Sequence, residues 1–150
     1  MMETKRKVLA YITKGNGQSR QLLVFEHKVE KEAGLQVPGG TIEDDELIID
    51  ALYREIYEET GIERDDLKLV RKLEKTNYFP PNKDVVYERT IFHLQYIGNH
   101  EDEWEHRVEG TGEDQGLVFC FKFMPLQNLP ELASHQDQAI ALLDDLSAYQ

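Results

Sequence analysis

The sequence predicts an α/β domain in which helices cover a mixed β-sheet. Strand and helix patterns follow one another in the order β-β-α-β-β-β-α, and this interspersed order favours helices packed on a sheet. At 150 residues, the chain is long enough for one domain with its own hydrophobic core. Its 40% apolar and 31% charged residues are typical of a globular protein. We therefore expect residues 1–150 to form a single domain.

The first half of the chain reads as a hairpin followed by a helix. Gly39 and Gly40 stand just before the helix and permit a close approach of the backbone. Gly61 occupies the position where a glycine commonly ends a helix. The predicted elements are strands at 7–14 and 21–27, a turn at 15–19, a charged loop at 28–34 and a helix at 48–60.

The second half reads as three strands and a final helix. Residues 85–97 are rich in β-branched and aromatic side chains, which favour a strand. The segment 98–116 is polar, acidic and glycine-bearing, and a loop of that length is usually functional or mobile. The predicted elements are strands at 67–77, 85–97 and 117–124, loops at 78–82 and 98–116, and an amphipathic helix at 134–146.

The charge balance and the cysteine content narrow the class of protein. Twenty-nine acidic and seventeen basic residues give a net charge of −12, which repels nucleic-acid backbones and anionic lipid. We therefore expect no polynucleotide and no membrane partner. The polar start and the absence of a long apolar run indicate a cytoplasmic protein. Cys120 stands among apolar neighbours and is predicted to be a reduced thiol in the core.

Three glutamates of the predicted helix lie on its apolar side, where charged residues are not expected. At about 100° per residue, Glu55, Glu58 and Glu59 share an arc of roughly 100° that overlaps the apolar face of Leu52 and Ile56. Like charges at this spacing repel one another, and the helix dipole disfavours anions in the last turn. A divalent cation would remove this conflict. Ligands that are all oxygen suit Mg²⁺ or Mn²⁺, so we expect one of these ions as the cofactor.

The wider motif identifies a family. Between Gly40 and Ile62 the chain reads GTIEDDELIIDALYREIYEETGI, which resembles the box of the Nudix (MutT-like) hydrolases at every defining position. The resemblance implies the Nudix α/β/α sandwich. It also implies an Mg²⁺-dependent pyrophosphohydrolase that cleaves a nucleoside diphosphate linked to another group, NDP–X, to NMP and P–X. The defining residues here are Gly40, Glu46, Arg54, Glu55, Ile56, Glu58, Glu59, Gly61 and Ile62.

The resemblance assigns roles to residues inside the box. Glu55, Glu58 and Glu59 are implied to hold the metal, together with the carbonyl of Gly40. Arg54 is implied to pair with Glu58 and to hold it in position.

Other parts of the box and its surroundings are less uniform in the family. The residue that matches Glu46 varies in role, from support of the metal ligands to assistance of the attacking water. Leu47 stands where relatives often carry a helix-capping Ser or Thr, so we expect Asp44 or Asp45 to cap the helix. The general base is either a box glutamate or an acid of the later loop, where Glu113 and Asp114 are candidates.

The substrate must also contact residues outside the box. Arg89 is a candidate for binding its far phosphates, and Glu113 is a further candidate contact. Aromatic side chains that could stack on a base are Tyr78, Phe79, Tyr87 and Trp104.

The identity of X is not encoded in the box. We expect the loops 78–82 and 98–116 to select a small nucleotide or nucleoside diphosphate derivative, and dimers are common in the family. The alternative is a non-catalytic nucleotide-binding or regulatory module, although such proteins usually lose a box glutamate and this chain has all of them. A relative of the isopentenyl diphosphate isomerase kind would need further metal-binding histidines and a catalytic cysteine in a different setting.

Overall fold

A computed structural model describes residues 2–99 and 101–144 of the chain. The described part contains seven β-strands, one α-helix and five short 3₁₀ turns. The strands are β1 (Glu3–Lys14), β2 (Gln21–His27), β3 (Gly39–Thr41), β4 (Leu67–Tyr78), β5 (Val85–Tyr96), β6 (Glu103–Arg107) and β7 (Val118–Pro125), and the helix is α1 (Ile48–Thr60). The 3₁₀ turns are Gly17–Ser19, Lys31–Ala33, Arg64–Asp66, Ala133–His135 and Ile140–Asp144.

The strands form one mixed sheet, as the sequence predicts. Their order is β4-β5-β1-β2-β7-β6, and the short β3 pairs with β1 beside this path. β1 and β5 run parallel from Glu3 opposite Val85 to Thr13 opposite Gln95, whereas the other pairs are antiparallel. β1 is thus an interior strand, and its central residues are buried on both faces of the sheet.

Each face of the sheet is covered by a different part of the chain. On one face, α1 packs Ala51, Leu52 and Ile56 against β1 residues such as Ala10. On the other face, Leu143 and other residues near the C-terminal end pack on the alternate side chains of the same strands. Hydrophobic layers on both faces of one sheet match the predicted sandwich architecture.

The helix has its predicted boundaries but not its predicted N-cap residue. Gly61 adopts a left-handed conformation with φ of 82°, and its N–H donates to the Tyr57 carbonyl at 2.9 Å. The prediction that Asp44 or Asp45 caps the helix is wrong, because Leu47 occupies the N-cap position and none of the described side chains bonds there. Asp45 instead takes a positive φ of 64° in the turn that precedes the helix.

The prediction of a long loop at 98–116 is wrong for its middle part, which forms the strand β6 and pairs with β7. Charged residues alternate with Trp104 and His106 in this strand, and only the latter two turn inward, so the segment is polar overall. Trp104 stacks on Phe121 and donates its indole N–H to the Thr60 carbonyl at 2.9 Å. The ring therefore packs between the sheet and α1, and its role in stacking on a base stays a prediction.

The C-terminal helix predicted at 134–146 is also not observed in its described part. Residues 133–135 and 140–144 form 3₁₀ turns, and residues 145 and 146 lie outside the described residues. The segment is held by Tyr11, whose buried hydroxyl donates to the Gln136 carbonyl and accepts the Ala139 N–H. These tertiary contacts specify a compact segment in place of a regular helix.

Two further expectations from the sequence concern the burial of Cys120 and the absence of a membrane-spanning segment. Cys120 is a free thiol, but it is only half-buried because it alternates along β7 with the buried Phe119 and Phe121. Among the described residues, no helix is long and apolar enough to cross a bilayer.

Candidate active site

The three box glutamates face a cleft between α1, β3 and the segment 108–115. The cleft has a volume of about 260 Å³, and all three carboxylates line it. Glu59 is 5% exposed, and the side chains of Glu55 and Glu58 are 15% and 22% exposed. The acidic arc of the helix is therefore enclosed by protein and is not a solvated stripe.

One guanidinium organises most of this acidic group. Arg54 Nη1 lies 2.9 Å from Glu55 Oε1 and 3.0 Å from Glu58 Oε1. Its Nε and Nη2 bind both oxygens of Glu46, at 2.7 and 2.9 Å, and Nη2 also donates to the Thr41 carbonyl. The pairing with Glu58 agrees with the role that the resemblance implies. The bonds to Glu46 and Glu55 were not anticipated from sequence, since they depend on how the turn before α1 folds back.

The electrostatics of the cleft show how incompletely these charges are neutralised. Burial raises the pKa of Glu55 to about 7, although Arg54 acts in the opposite direction. Burial also raises the pKa of Glu59 well above its ordinary value, and within residues 2–99 and 101–144 the Gly39 N–H, at 3.0 Å, is the one donor that bonds this carboxylate. The pKa of Glu46 is lowered, chiefly by its hydrogen bonds to Arg54. The inner end of the cleft thus favours an added cation.

Two glycines allow the carboxylates to lie directly against the backbone. A Cβ atom at Gly40 would overlap the carboxyl group of Glu55, and one at Gly110 would overlap that of Glu58. Gly110 also has a φ of 92°, which disfavours other residues. Gly110 was missed in the sequence, because nothing in the local pattern places it beside α1.

The donor set fits a hard divalent cation. The carboxylates of Glu55, Glu58 and Glu59 line one cleft and offer only oxygen, as Mg²⁺ and Mn²⁺ prefer. Within the described residues, no three acidic, histidine or cysteine side chains converge as a preformed metal site. The reason is visible in the hydrogen bonds, since Arg54 holds two of the carboxylates and the Gly39 N–H holds the third. A bound cation would take over part of the neutralisation that Arg54 provides.

The segment after β6 forms the outer wall of the cleft. The Glu109 N–H donates to the Glu58 carbonyl at 2.9 Å, which ties this segment to α1. Glu113 and Asp114 both line the cleft. The Asp114 carboxyl is half-buried, and burial raises its pKa, whereas Glu113 is exposed and lies 3.9 Å from Lys5. Both acids therefore stand where a general base is expected.

A second chamber of about 200 Å³ adjoins the cleft and contains part of the predicted substrate site. Arg89 and Tyr87 line it, and Lys7, which sequence reasoning missed, lines both cavities. Tyr78 lines neither cavity; its ring lies under the Arg89 guanidinium, 4.0 Å from the ring centroid. Phe79 is largely exposed and lines neither of the two, so the structure does not bring it to the site.

Comparisons with known proteins agree with this architecture. A family model described as the NUDIX domain matches residues 3–145. An RNA pyrophosphohydrolase of Bartonella tribocorum is 35% identical over 127 residues, covering 76% of this chain and 70% of the relative. A UDP-X diphosphatase structure is similar with a TM-score of 0.66 at 18% identity, over 99% of this chain and 65% of that chain. A MutT NUDIX hydrolase of Burkholderia pseudomallei has a TM-score of 0.63 at 20% identity, over 95% and 98% of the two chains.

The chain belongs to the Nudix family. It is a Nudix hydrolase, an enzyme class that acts on phosphoanhydride bonds and generally depends on a divalent metal ion. The solved structures share less than 25% identity with this chain and support the fold alone. The expectation that polynucleotides are excluded rests only on net charge, and the similarity to an enzyme named for RNA gives it no support.

Proposed function

We propose that this enzyme hydrolyses a nucleoside diphosphate linked to another group, NDP–X, to NMP and P–X, with Mg²⁺ or Mn²⁺ as the cofactor. The observation that carries the proposal is the enclosure of Glu55, Glu58 and Glu59 in one cleft, where Arg54 pairs with the first two. Such a site neutralises charge and positions groups, which are the main requirements of phosphoryl transfer.

Several residues of this chain would take part in different ways. Glu55, Glu58 and Glu59 would hold the ion, which when bound neutralises the pyrophosphate oxygens and activates water. Arg54 would keep Glu58 aligned. Glu46 is better suited to positioning than to proton transfer, because its two oxygens are already bonded to Arg54 and to the Glu43 N–H.

The proton of the attacking water needs an acceptor at the cleft wall. Asp114 and Glu113 both line the cleft and carry carboxylate oxygens that could hold this proton. Asp114 is the better candidate by geometry, since it is half-buried and belongs to both cavities, whereas the exposed Glu113 lies near Lys5. Replacing Asp114 by asparagine should then lower the rate constant of turnover more than replacing Glu113 by glutamine.

The substrate specificity is proposed to depend on the segment 108–116, which lines the cleft. The loop 78–82 contributes indirectly through Tyr78, which supports Arg89. Since relatives are named for RNA and for UDP-X, both a small nucleotide derivative and the 5′ end of an RNA are substrates to test. A homodimer, which the family resemblance suggests, can be tested by light scattering.

The decisive experiment is a substrate panel. Purified enzyme is incubated with about twenty nucleotide substrates and a 5′-triphosphorylated RNA, with Mg²⁺ or with Mn²⁺, and products are resolved by anion-exchange chromatography. We expect NMP release from at least one nucleotide, and its loss in the Glu58→Gln variant. Nucleotide binding without turnover in the wild type would instead establish the non-catalytic alternative. Equal turnover by Glu58→Gln would refute the proposed metal site.

A further inference from the structure

The C-terminal end of α1 is held by the neighbouring strand β6 and the residues that follow it. The last carbonyls of a helix lack partners inside the helix. The Thr60 carbonyl accepts the indole N–H of Trp104 at 2.9 Å, and the Glu58 carbonyl accepts the Glu109 N–H, also at 2.9 Å. The Nε2 atom of His106 lies 3.1 Å from the same Glu58 carbonyl oxygen. A separate part of the chain thus caps the helix that carries the acidic cluster.

Both the sheet and the helix place His106 for this contact. It lies opposite Phe119 in the pairing of β6 with β7, and its side chain is 20% exposed. Its ring lies against Gly61, where a Cβ atom would be 3.1 Å from the ring Nδ1 and 3.2 Å from Cε1. Gly61 therefore has two roles, since it ends the helix at a positive φ and also leaves room for the imidazole.

The contact specifies which ring nitrogen of His106 carries a proton. A carbonyl oxygen only accepts hydrogen bonds, so its bond with Nε2 requires the proton on Nε2. The Glu109 carboxylate lies 3.5 Å from the same nitrogen and, when ionised, is also an acceptor. The negative end of the helix dipole favours a donor at this place as well. The structure therefore requires a ring that is protonated on Nε2.

Glu58 is held at both its carboxylate and its carbonyl. The carboxylate accepts Arg54 Nη1 at 3.0 Å, and it lies so close to Gly110 that a Cβ atom there would overlap it. The carbonyl accepts His106 and the Glu109 N–H. One short segment, 106–110, thus contacts both groups of the same residue. A shift of the helix end relative to this segment would move the Glu58 carboxylate in the cleft.

We propose that His106 is a positioning residue of the active site, whose Nε2–H holds the Glu58 carbonyl and so keeps the Glu58 carboxylate aligned for the metal ion. His106 does not line the cleft, so it acts through Glu58 and touches neither the ion nor the substrate. This rests on the proposed function, because it takes Glu58 as a metal ligand. Its consequence is that the affinity for the metal depends on one N–H group outside the cleft.

The first test measures the affinity for Mn²⁺, added alone, by EPR of the free ion. His106→Met removes the donor, whereas His106→Gln places an amide N–H near the position of Nε2. We expect the Kd for Mn²⁺ to rise on the order of tenfold in His106→Met and to return to within about threefold of the wild type in His106→Gln, as for residues that orient metal ligands. An unchanged Kd in His106→Met, or equal losses in both variants, would overturn the proposal.

His27 provides the matched control. It lies opposite Phe119 on the other side of β7, is half-buried, and packs its ring 4.8 Å from the Phe119 centroid. In the part of the chain that the structure describes, no hydrogen bond joins the His27 ring to α1. His27→Met should therefore leave the Kd for Mn²⁺ near the wild-type value. A loss equal to that of His106→Met would indicate a general packing effect and contradict a specific role of His106.

A second test asks whether His106 acts through Glu58. In the Glu58→Gln background, His106→Met should weaken Mn²⁺ binding no further, because the ligand that it positions is already removed. Additive losses would overturn the proposal. A third test needs no variant and is informative even if His106→Met fails to fold. NMR spectra of the wild type that correlate the ring protons with the ring nitrogens should show the neutral His106 ring protonated on Nε2, and a proton on Nδ1 would overturn the proposal.

The two proposals fail in different ways. If the wild type cleaves no phosphoanhydride bond, but Mn²⁺ affinity falls in His106→Met and returns in His106→Gln, the positioning role stands and the hydrolase assignment falls. If cleavage is normal and is lost in Glu58→Gln, but His106→Met binds Mn²⁺ as the wild type does, only the positioning role is wrong.

Discussion

Replacing Arg54 by methionine should destabilise the metal-free enzyme, because three carboxylates lose their common cation. Arg54 makes five hydrogen bonds, four of them to Glu46, Glu55 and Glu58. Its side chain is 26% exposed, which places these pairs between surface ion pairs, worth about 0–1 kcal/mol, and buried ones, whose disruption costs about 3–5 kcal/mol. We expect the free energy of unfolding to fall by about 2–4 kcal/mol.

This loss can be measured by urea denaturation in EDTA at pH 7.5, with the midpoint of thermal unfolding as a second measure. For a chain of this size the thermal midpoint should fall by roughly 5–15 °C. Arg64→Met is the control, because its guanidinium is exposed and no carboxylate of the cleft contacts it; its cost should stay below about 1 kcal/mol. If Arg54→Met unfolds within about 1 kcal/mol of the wild type, the guanidinium does not hold the cleft together and the reasoning fails.

Three further predictions concern other parts of the site and the core. Gly110→Ala should lower kcat/KM on the order of 10²-fold, because the new Cβ displaces the Glu58 carboxylate. Gly17→Ala, whose Cβ would meet no described atom within 4 Å and which lines neither cavity, should stay near wild-type activity. Equal rates for the two variants would contradict this. In the wild type, Mg²⁺ at 100 times its Kd should raise the free energy of unfolding by about 2.7 kcal/mol. Glu59→Gln should remove this gain. An undiminished gain in the variant would place the ion elsewhere. Burial lowers the pKa of His93 from 6.5 to about 4, so the folded state binds protons less readily than the unfolded state. The stability that this neutral histidine allows above pH 6.5 is therefore lost as the pH falls toward 4. Between pH 7 and 5 the wild type should therefore lose about 2 kcal/mol more than His93→Gln in urea titrations, and parallel pH profiles would show that His93 is not the cause.

The elements closest to the motif were predictable because their signals are local. The helix 48–60 has its predicted bounds, since an amphipathic repeat and a terminal glycine are encoded within one short stretch. The strand at 103–107 was not predictable, because its residues are mostly charged and only pairing with β7 makes it a strand. The C-terminal 3₁₀ turns likewise depend on Tyr11, which is more than 120 residues away in the chain.

The sequence by itself determined the family, the reaction class and the acidic face of one helix, because residue identity and spacing along a helix encode these directly. Only the tertiary structure decided that Glu46 joins the Arg54 network, that Gly110 lies against Glu58, and that Lys7 and Arg89 meet at a second chamber. These contacts join residues from separate strands, turns and loops. Their proximity depends on the register of β1 with β5 and on the path of the segment after β6, and no local pattern carries that information.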